Sequence, residues 1–410
     1  MKKNKILFQR IIYSGLLLFL LQLGRNVLLP GMKVVPLSNS SENQFLEFIT
    51  RTTGGDFFNP SFFSLGMGPY MTALIIWTTL TVSEFDWIKN LSERAKGYFQ
   101  RGLTFVFAVI QAMIFLPKLK AVQDFGQDPT IFHLSASTMT ILYLITGGMF
   151  LSWLADRNCE NGIGGQSLFI VPSVMANIPA MLVSGKTGKV SFQPSFLLIL
   201  SIVTIVFVVV TIFLYNSEYR INIERIGVTS EFTHSYIPIR LLTSGAMPFM
   251  FAVTFFSLPN LLLMNEKVKD TIFSYWLSRL FSYNTVEGIF TYGVVIYLLA
   301  LSFSFINVRP YDIAKNLRES GDYVLGLPPG NKTQRFFTRK VWMISSIGSL
   351  YLVLVSMIPL FIGLKNDLYS NLSFYFGSIF MLIIILENIT KEVKFIYQME
   401  NYTIFQKKHH

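Results

Sequence analysis

Gly66-Met-Gly-Pro-Tyr-Met-Thr-Ala73 opens an apolar run that continues to Val82, and Gly245-Ala-Met-Pro-Phe-Met-Phe-Ala252 opens another that continues to Met264. Both read Gly-x-x-Pro-aromatic-Met-x-Ala. A glycine and a proline at such a start interrupt the regular backbone. At membrane depth, the freed amides survive only beside protein or a water-lined cavity. The remaining apolar runs lie near Leu7–Leu29, Gly102–Leu119, Ser135–Leu154, Gln166–Val183, Phe196–Tyr215, Ile289–Ile306, Val341–Leu364 and Leu372–Ile389. Each is about 15–23 residues long, the length a helix needs to cross a ~30 Å hydrocarbon core. None alternates as the ~10-residue strands of a membrane β-barrel would. The chain is therefore read as an all-α polytopic membrane protein of about ten transmembrane helices.

Charge orients these spans. Of the 410 residues 52% are apolar and only 14% charged, and the net charge is +11. With the N-terminus in the cytoplasm, 23 of the 34 Lys and Arg fall in inside segments and ten outside, leaving Arg25 in the first span. That bias follows the positive-inside rule and puts both termini in the cytoplasm. The basic excess then belongs to cytoplasmic loops and not to nucleic-acid binding. The first span is too long, and too closely followed by others, for a cleaved signal peptide. In this topology the second span runs inward and the seventh outward. Two inverted halves of five spans, 1–185 and 186–410, would leave such a repeat.

Three connections are more than loops. Asp56-Phe-Phe-Asn-Pro-Ser-Phe-Phe-Ser-Leu65 is aromatic and too short to cross. It reads either as a re-entrant, plug-like piece buried in protein or as an interfacial aromatic anchor. Between spans six and seven, Tyr219, Ile221 and Ile223 alternate with polar residues. After Gly227-Val-Thr-Ser230 the alternation resumes at Phe232, His234 and Tyr236, which predicts a cytoplasmic β-hairpin. In the next external loop Phe273, Trp276, Leu277, Leu280 and Phe281 fall at helical spacing, as in an amphipathic interfacial helix.

Catalytic chemistry finds little support. Cys159 is the single cysteine, so an intrachain disulfide and a thiolate cluster are excluded. His133 and His234 are isolated from any zinc-ligand spacing. Gly162-Ile-Gly-Gly-Gln166 lacks the Lys-Ser/Thr of a phosphate loop and reads as a tight turn. Arg25 lies near the outer end of its span, where it can snorkel, and Glu387 near the inner end of the last. Ion-coupled transporters keep ionisable groups at mid-membrane, and these spans offer none. No cofactor, metal or enzymatic activity is expected. His409 and His410 are either a native tail or an added tag.

Several motifs, in order, resemble the SecY family of protein-conducting channels along nearly the whole chain. Phe63-Ser-Leu-Gly-Met-Gly-Pro-Tyr-Met-Thr-Ala73 is similar to that family's second span, and Glu160-Asn-Gly-Ile-Gly164 to the signature before its fifth. Ile237-Pro-Ile-Arg240 with Gly245-Ala-Met-Pro248 resembles the approach to its seventh. The most specific match is Val308-Arg-Pro-Tyr-Asp-Ile-Ala-Lys-Asn-Leu-Arg-Glu-Ser-Gly321. The resemblance implies two halves around a central pore with a lateral gate between spans two and seven, at Pro69, Thr72, Pro248 and Thr254. It implies a plug carrying Phe57, Phe58, Phe62 and Phe63. It also implies an apolar pore ring of Met67, Met71, Ile75, Met250, Phe380 and Ile170, with Val171 the alternative to Ile170 by one residue of register. An apolar ring dewets and blocks ions, while flexible Met side chains can reseal around a passing chain.

The chain also departs from the family pattern. Gly326-Leu-Pro-Pro-Gly330 has Pro328 where housekeeping members carry an arginine associated with motor coupling, and Gly165-Gln166 replaces the usual Asn-Gly. These departures resemble the accessory Sec type of Gram-positive bacteria, which exports serine-rich, glycosylated adhesins. The implied partners are a SecA-like ATPase, small SecE/SecG-like or accessory membrane subunits, a secreted preprotein and membrane lipids. The implied ATPase dock comprises Arg220, Arg225, Arg240, Arg335, Arg339 and Lys340. The competing reading from the repeat alone is an inverted-repeat secondary transporter for a small solute.

Overall fold

The computed structural model describes residues 5–29, 55, 61–82, 91–120, 136–185, 188–189, 194–224, 235–252, 255–256, 275–276, 279–283, 285–365 and 372–402. The predicted features at Phe57, Phe58, Gly227–Ser230, Phe232, His234, Arg225, Thr254, Phe273 and Leu277 lie outside the described residues. The helices are α1 Lys5–Asn26, α2 Gly68–Val82, α3 Glu93–Lys120, α4 Ala136–Asn161, α5 Val171–Val183, α6 Pro194–Asn216, α7 Val286–Val308, α8 Pro310–Ser320, α9 Asn331–Lys365 and α10 Leu372–Tyr402. A 3₁₀ turn, Gly165–Phe169, precedes α5, and residues 247–252 form the described start of the seventh span. A short antiparallel ladder, β1 Ser184–Gly185 with β2 Gly188–Lys189, closes the chain after α5. Among the described residues, six helical stretches are long and apolar enough to cross a membrane. Helices α3, α4, α9 and α10 extend past the apolar runs, because their flanking charged sequence remains helix-forming where it leaves lipid.

The chain divides into two compact units, Met1–Lys189 with Ile385–His410, and Val190–Ile384. In the first, α2 and α4 flank α3 around Leu29, Leu65, Ala108, Ala112 and Leu144. The two alanines let backbones approach, the packing that substitutes for hydrophobic drive between membrane helices. Trp77 stacks on Phe99 at 6.1 Å and joins α2 to α3.

In the second unit α7 runs along α9 with Gly293 against the Met357 side chain and Phe290 edge-on to Phe361. Polar links tie down α6: Thr204 and Tyr375 hydroxyls are 3.1 Å apart, Thr211 and Tyr351 hydroxyls 2.6 Å. Such bonds hold helices together where water is absent.

The expected hairpin forms as β3 Glu218–Ile223 and β4 Ser235–Arg240, antiparallel, with Tyr219 opposite Ile239, Ile221 opposite Ile237 and Asn222 opposite Tyr236. The second strand therefore differs from the sequence expectation. Tyr236 lies on the outer face beside Arg220, and Ile237 and Ile239 turn inward with Ile221 and Ile223. That inner face packs on Leu317, Val324, Phe337 and Val341 of α8, α9 and their connection.

Arg309 joins α7 to α8. It has φ 49°, the one left-handed non-glycine residue described, and serves both as the last cap of α7 and the first of α8. Proline at 310 disfavours the right-handed helical region for the residue before it, so the chain turns on this single residue. A non-glycine in that region costs about 1 kcal/mol or more. Packing of Pro310, Ala314 and Leu317, all buried on α8, offsets it.

Candidate functional site

The two repeated motifs adopt the same local geometry. The chain approaches α2 through a turn at 62–67 and the seventh span through a turn at 241–246. Gly66 has φ 59° and its N–H donates to the Phe63 carbonyl at 2.9 Å; Gly245 has φ 65° and donates to the Leu242 carbonyl at 3.3 Å. Left-handed φ is the reason both motifs begin with glycine. Four residues upstream of each, a backbone carbonyl lies against a helical glycine. Phe62 O faces Gly147 of α4, and Leu241 O faces Gly348 of α9, where an added Cβ would stand 1.8 Å and 2.1 Å from the oxygen. The fourth and ninth spans are related by the same offset of five as the second and seventh. Downstream, Pro69, Tyr70, Met71 and Ala73 are buried, as are Pro248, Phe249, Met250 and Ala252. This correspondence includes two glycines, Gly147 and Gly348, that no sequence motif marks.

In the first unit the turn before α2 is pinned from several sides. The Phe62 N–H donates to the Val27 carbonyl at 3.1 Å, and Leu28 bridges Ser61. The Ser64 hydroxyl donates to Ser61 O at 2.8 Å and accepts from Ser61 N at 2.7 Å. The Phe63 ring lies against Gly24 of α1 and stacks on Phe150 of α4 at 6.0 Å. Phe62 and Phe63 thus sit in a protein-lined, aromatic setting. Met67, Met71 and Ile170 are buried within a few percent, while Ile75, Val171 and Thr72 are half-buried.

A polar group fixes α2 just past its start. The Tyr70 hydroxyl lies 2.9 Å from Asp156 Oδ1 and 3.1 Å from Gln166 Oε1, and Arg101 approaches Asp156 at 3.6 Å. In the second unit the residue after the proline, Phe249, instead packs on Phe380 at 5.1 Å, with Gly377 beside it. Met250 and Phe380 are buried.

A second polar group orders the turn before α5. Buried Asn158 accepts from the Ser14 hydroxyl at 2.7 Å and donates to the carbonyls of Ile163 at 3.0 Å and Gly165 at 2.7 Å. The Ile163 N–H donates to Ser14 Oγ at 2.7 Å. Gly164 and Gly165 have φ 79° and 53°, so Gly165 occupies a left-handed position that asparagine also tolerates. The Gly164 N–H donates to Glu392 of α10 at 2.8 Å. Arg25 donates to Ser173 of α5 instead of snorkelling outward. Motif spacing gave no sign of Ser14 or Glu392, because their partners lie 144 to 228 residues away in sequence.

The hairpin and α9 of the second unit carry cations beside aromatic rings. Arg220 stacks over Tyr236 at 4.6 Å and pairs with Glu218 at 2.8 Å; Arg240 lies 5.9 Å from the Tyr215 ring. The Lys340 ammonium is 3.3 Å from the Tyr219 hydroxyl and 4.9 Å from its ring. Arg335 and Arg339 are exposed on the same helix. Glu224 and Tyr323 exchange both backbone bonds, and the Tyr323 hydroxyl donates to the Glu224 carboxylate at 2.9 Å, raising the phenol pKa above its ordinary range. The hairpin and the connection between α8 and α9 are thereby one surface. Among the described residues no group of His, Cys, Asp and Glu is arranged to hold a metal.

Comparison with known proteins matches this arrangement at both levels. The SecY family model aligns with residues 61–390. The accessory Sec system protein translocase subunit SecY2 of Leuconostoc gelidum subsp. gasicomitatum is 29% identical, over 97% of this chain and 96% of that one. The subunit of the same description in Streptococcus parasanguinis is 31% identical over 87% and 86%. A solved protein-conducting channel superposes with TM-score 0.67 at 16% identity, covering 99% of this chain and 96% of that one. A SecY channel whose plug domain stabilises its closed state gives TM-score 0.61 at 17% identity, with coverage of 99% and 96%.

Proposed function

This chain belongs to the SecY family, and from that premise we propose that it is the channel subunit of an accessory Sec-type translocase in the cell membrane. It passes unfolded polypeptide, of the serine-rich glycosylated adhesin class, outward while a separate SecA-like ATPase supplies the energy. Small SecE/SecG-like or accessory subunits and lipid surround it, and both termini face the cytoplasm. The observation that carries this reading is the matched pair of left-handed glycine turns, each seated on a helical glycine two spans further on. Two breaks of one design, five spans apart in the chain, support a reading as two inverted five-span halves.

In this reading Met67, Met71, Ile75, Ile170 or Val171, Met250 and Phe380 form the constriction. A greasy ring with no hydrogen-bonding groups excludes water and ions when narrow. The turn carrying Phe62 and Phe63 is the end of the plug, and Pro69, Thr72, Pro248 and Thr254 border the lateral gate. Arg220, Arg225, Arg240, Arg335, Arg339 and Lys340 receive an acidic face of the ATPase. Cations held over aromatic rings are positioned in advance, so less side-chain entropy is lost on docking.

Site-specific photo-crosslinking from Met71 to a stalled precursor in membranes tests the proposal. Adducts that need ATPase and precursor are expected. Crosslinks to lipid alone, or uptake of a small solute that competes with them, would turn the assignment toward the secondary transporter.

A further inference from the structure

The turn 162–165 is held by three other elements: α1 through Ser14, α4 through Asn158, and α10 through Glu392. Two of these bonds come from the buried side chains of Ser14 and Asn158. The third is of a different kind. The Glu392 carboxylate, half-buried near the cytoplasmic end of the last helix, accepts the Gly164 N–H at 2.8 Å. Gly164 is left-handed at φ 79°, and a Cβ there would lie 2.9 Å from Ile389, one turn before Glu392. The last helix therefore touches this residue through both its backbone and its apolar surface.

The residues just beyond Gly164 make the contact consequential. The Leu168 N–H and the Ser167 hydroxyl both bond back to the Gly164 carbonyl, at 3.3 and 2.9 Å. The Ile170 N–H bonds to Ser167 O, and Val174 N–H to Ile170 O. A run of bonds leads from Gly164, whose N–H Glu392 holds, to Ile170, the residue assigned to the constriction. The 3₁₀ turn within it is closed by bonds to residues three and four positions back.

We infer that Glu392 is a positioning residue for the constriction. Its hydrogen bond to Gly164 sets the 3₁₀ turn that aims Ile170. The inference rests on the proposed channel function and on Ile170 being a ring residue. An acceptor in the right place is what the geometry asks for, and the negative charge is incidental.

Ion leak through reconstituted full-length channel, with no ATPase or precursor, reads the seal directly. In Glu392→Ala the leaky population should rise about tenfold, the order expected when the Gly164 N–H is left without its acceptor in the closed state. Glu392→Gln retains an acceptor oxygen and should leak close to the parent protein, and Glu392→Asp, one methylene short, should fall between. Ile170→Gly is the reference for the ring itself. A leaky Ile170→Gly beside a tight Glu392→Ala would overturn the positioning role alone. A Gln variant as leaky as the Ala variant would overturn it too, by showing that charge is what matters. A tight Ile170→Gly would instead remove the ring assignment on which the inference stands. Should Glu392→Ala fail to accumulate, the ordering of the Asp and Gln variants decides.

Discussion

Alanine at Gly147 and at Gly348 should damage the protein in the same way, since each glycine admits the carbonyl that precedes a broken helix. At Gly147 a new Cβ would stand 1.8 Å from Phe62 O and 2.9 Å from its carbon; at Gly348 it would stand 2.1 Å from Leu241 O. Ordinary contact begins at 3.4 Å, so the turns must retreat by 1.6 and 1.3 Å respectively. Both obstacles are backbone, which no rotamer change relieves. Overpacking of that kind costs about 1–3 kcal/mol. At Gly147 the retreat also strains the bond from Phe62 N–H to Val27 O, worth about 1 kcal/mol more. A loss of about 2–4 kcal/mol at Gly147, and somewhat less at Gly348, is expected from unfolding in detergent followed by tryptophan fluorescence. Gly15 and Gly102 are the controls: a Cβ at either meets nothing within 4 Å, and alanine there should be neutral or mildly stabilising. Parent-like stability for both Gly147→Ala and Gly348→Ala would refute the claim that these glycines seat the two turns.

Two further outcomes concern the gate and the dock. Tyr70→Phe removes the hydroxyl that reaches Asp156 and Gln166, loosening the start of α2; a disulfide between cysteines at Thr72 and Thr254 should then form several-fold faster than in the parent, and an unchanged rate would show that the hydroxyl does not restrain the gate. Charge reversal at Arg335, Arg339 and Lys340 should weaken ATPase binding by about tenfold or more at low salt, with a flatter salt dependence; unchanged affinity by titration would move the dock elsewhere.

The sequence exposed what depends on local pattern. Glycine at 66 and 245 was readable because each begins a motif long enough to recur. Gly147 and Gly348 were not, since a lone glycine inside an apolar helix has many ordinary explanations. Their meaning lies in a carbonyl 85 or 107 residues away in sequence. The hairpin announced itself by alternation at Tyr219, Ile221 and Ile223, whereas its return strand was displaced because Pro238 interrupts the run that Ile237 and Ile239 define. Arg25 read as a snorkelling cation because it sits near a helix end. Its bond to Ser173 is a tertiary fact that hydropathy does not carry. The helical extensions of α3 and α10 were hidden where apolar patterning stops.

The single-residue joint at Arg309 leaves this protein with an elbow that has no give. One residue inserted between Val308 and Pro310 would re-aim everything beyond it, swinging Leu317 off the inner face of the hairpin. A push on α8 therefore passes straight into α7, with no flexible tether between the two helices in which to dissipate.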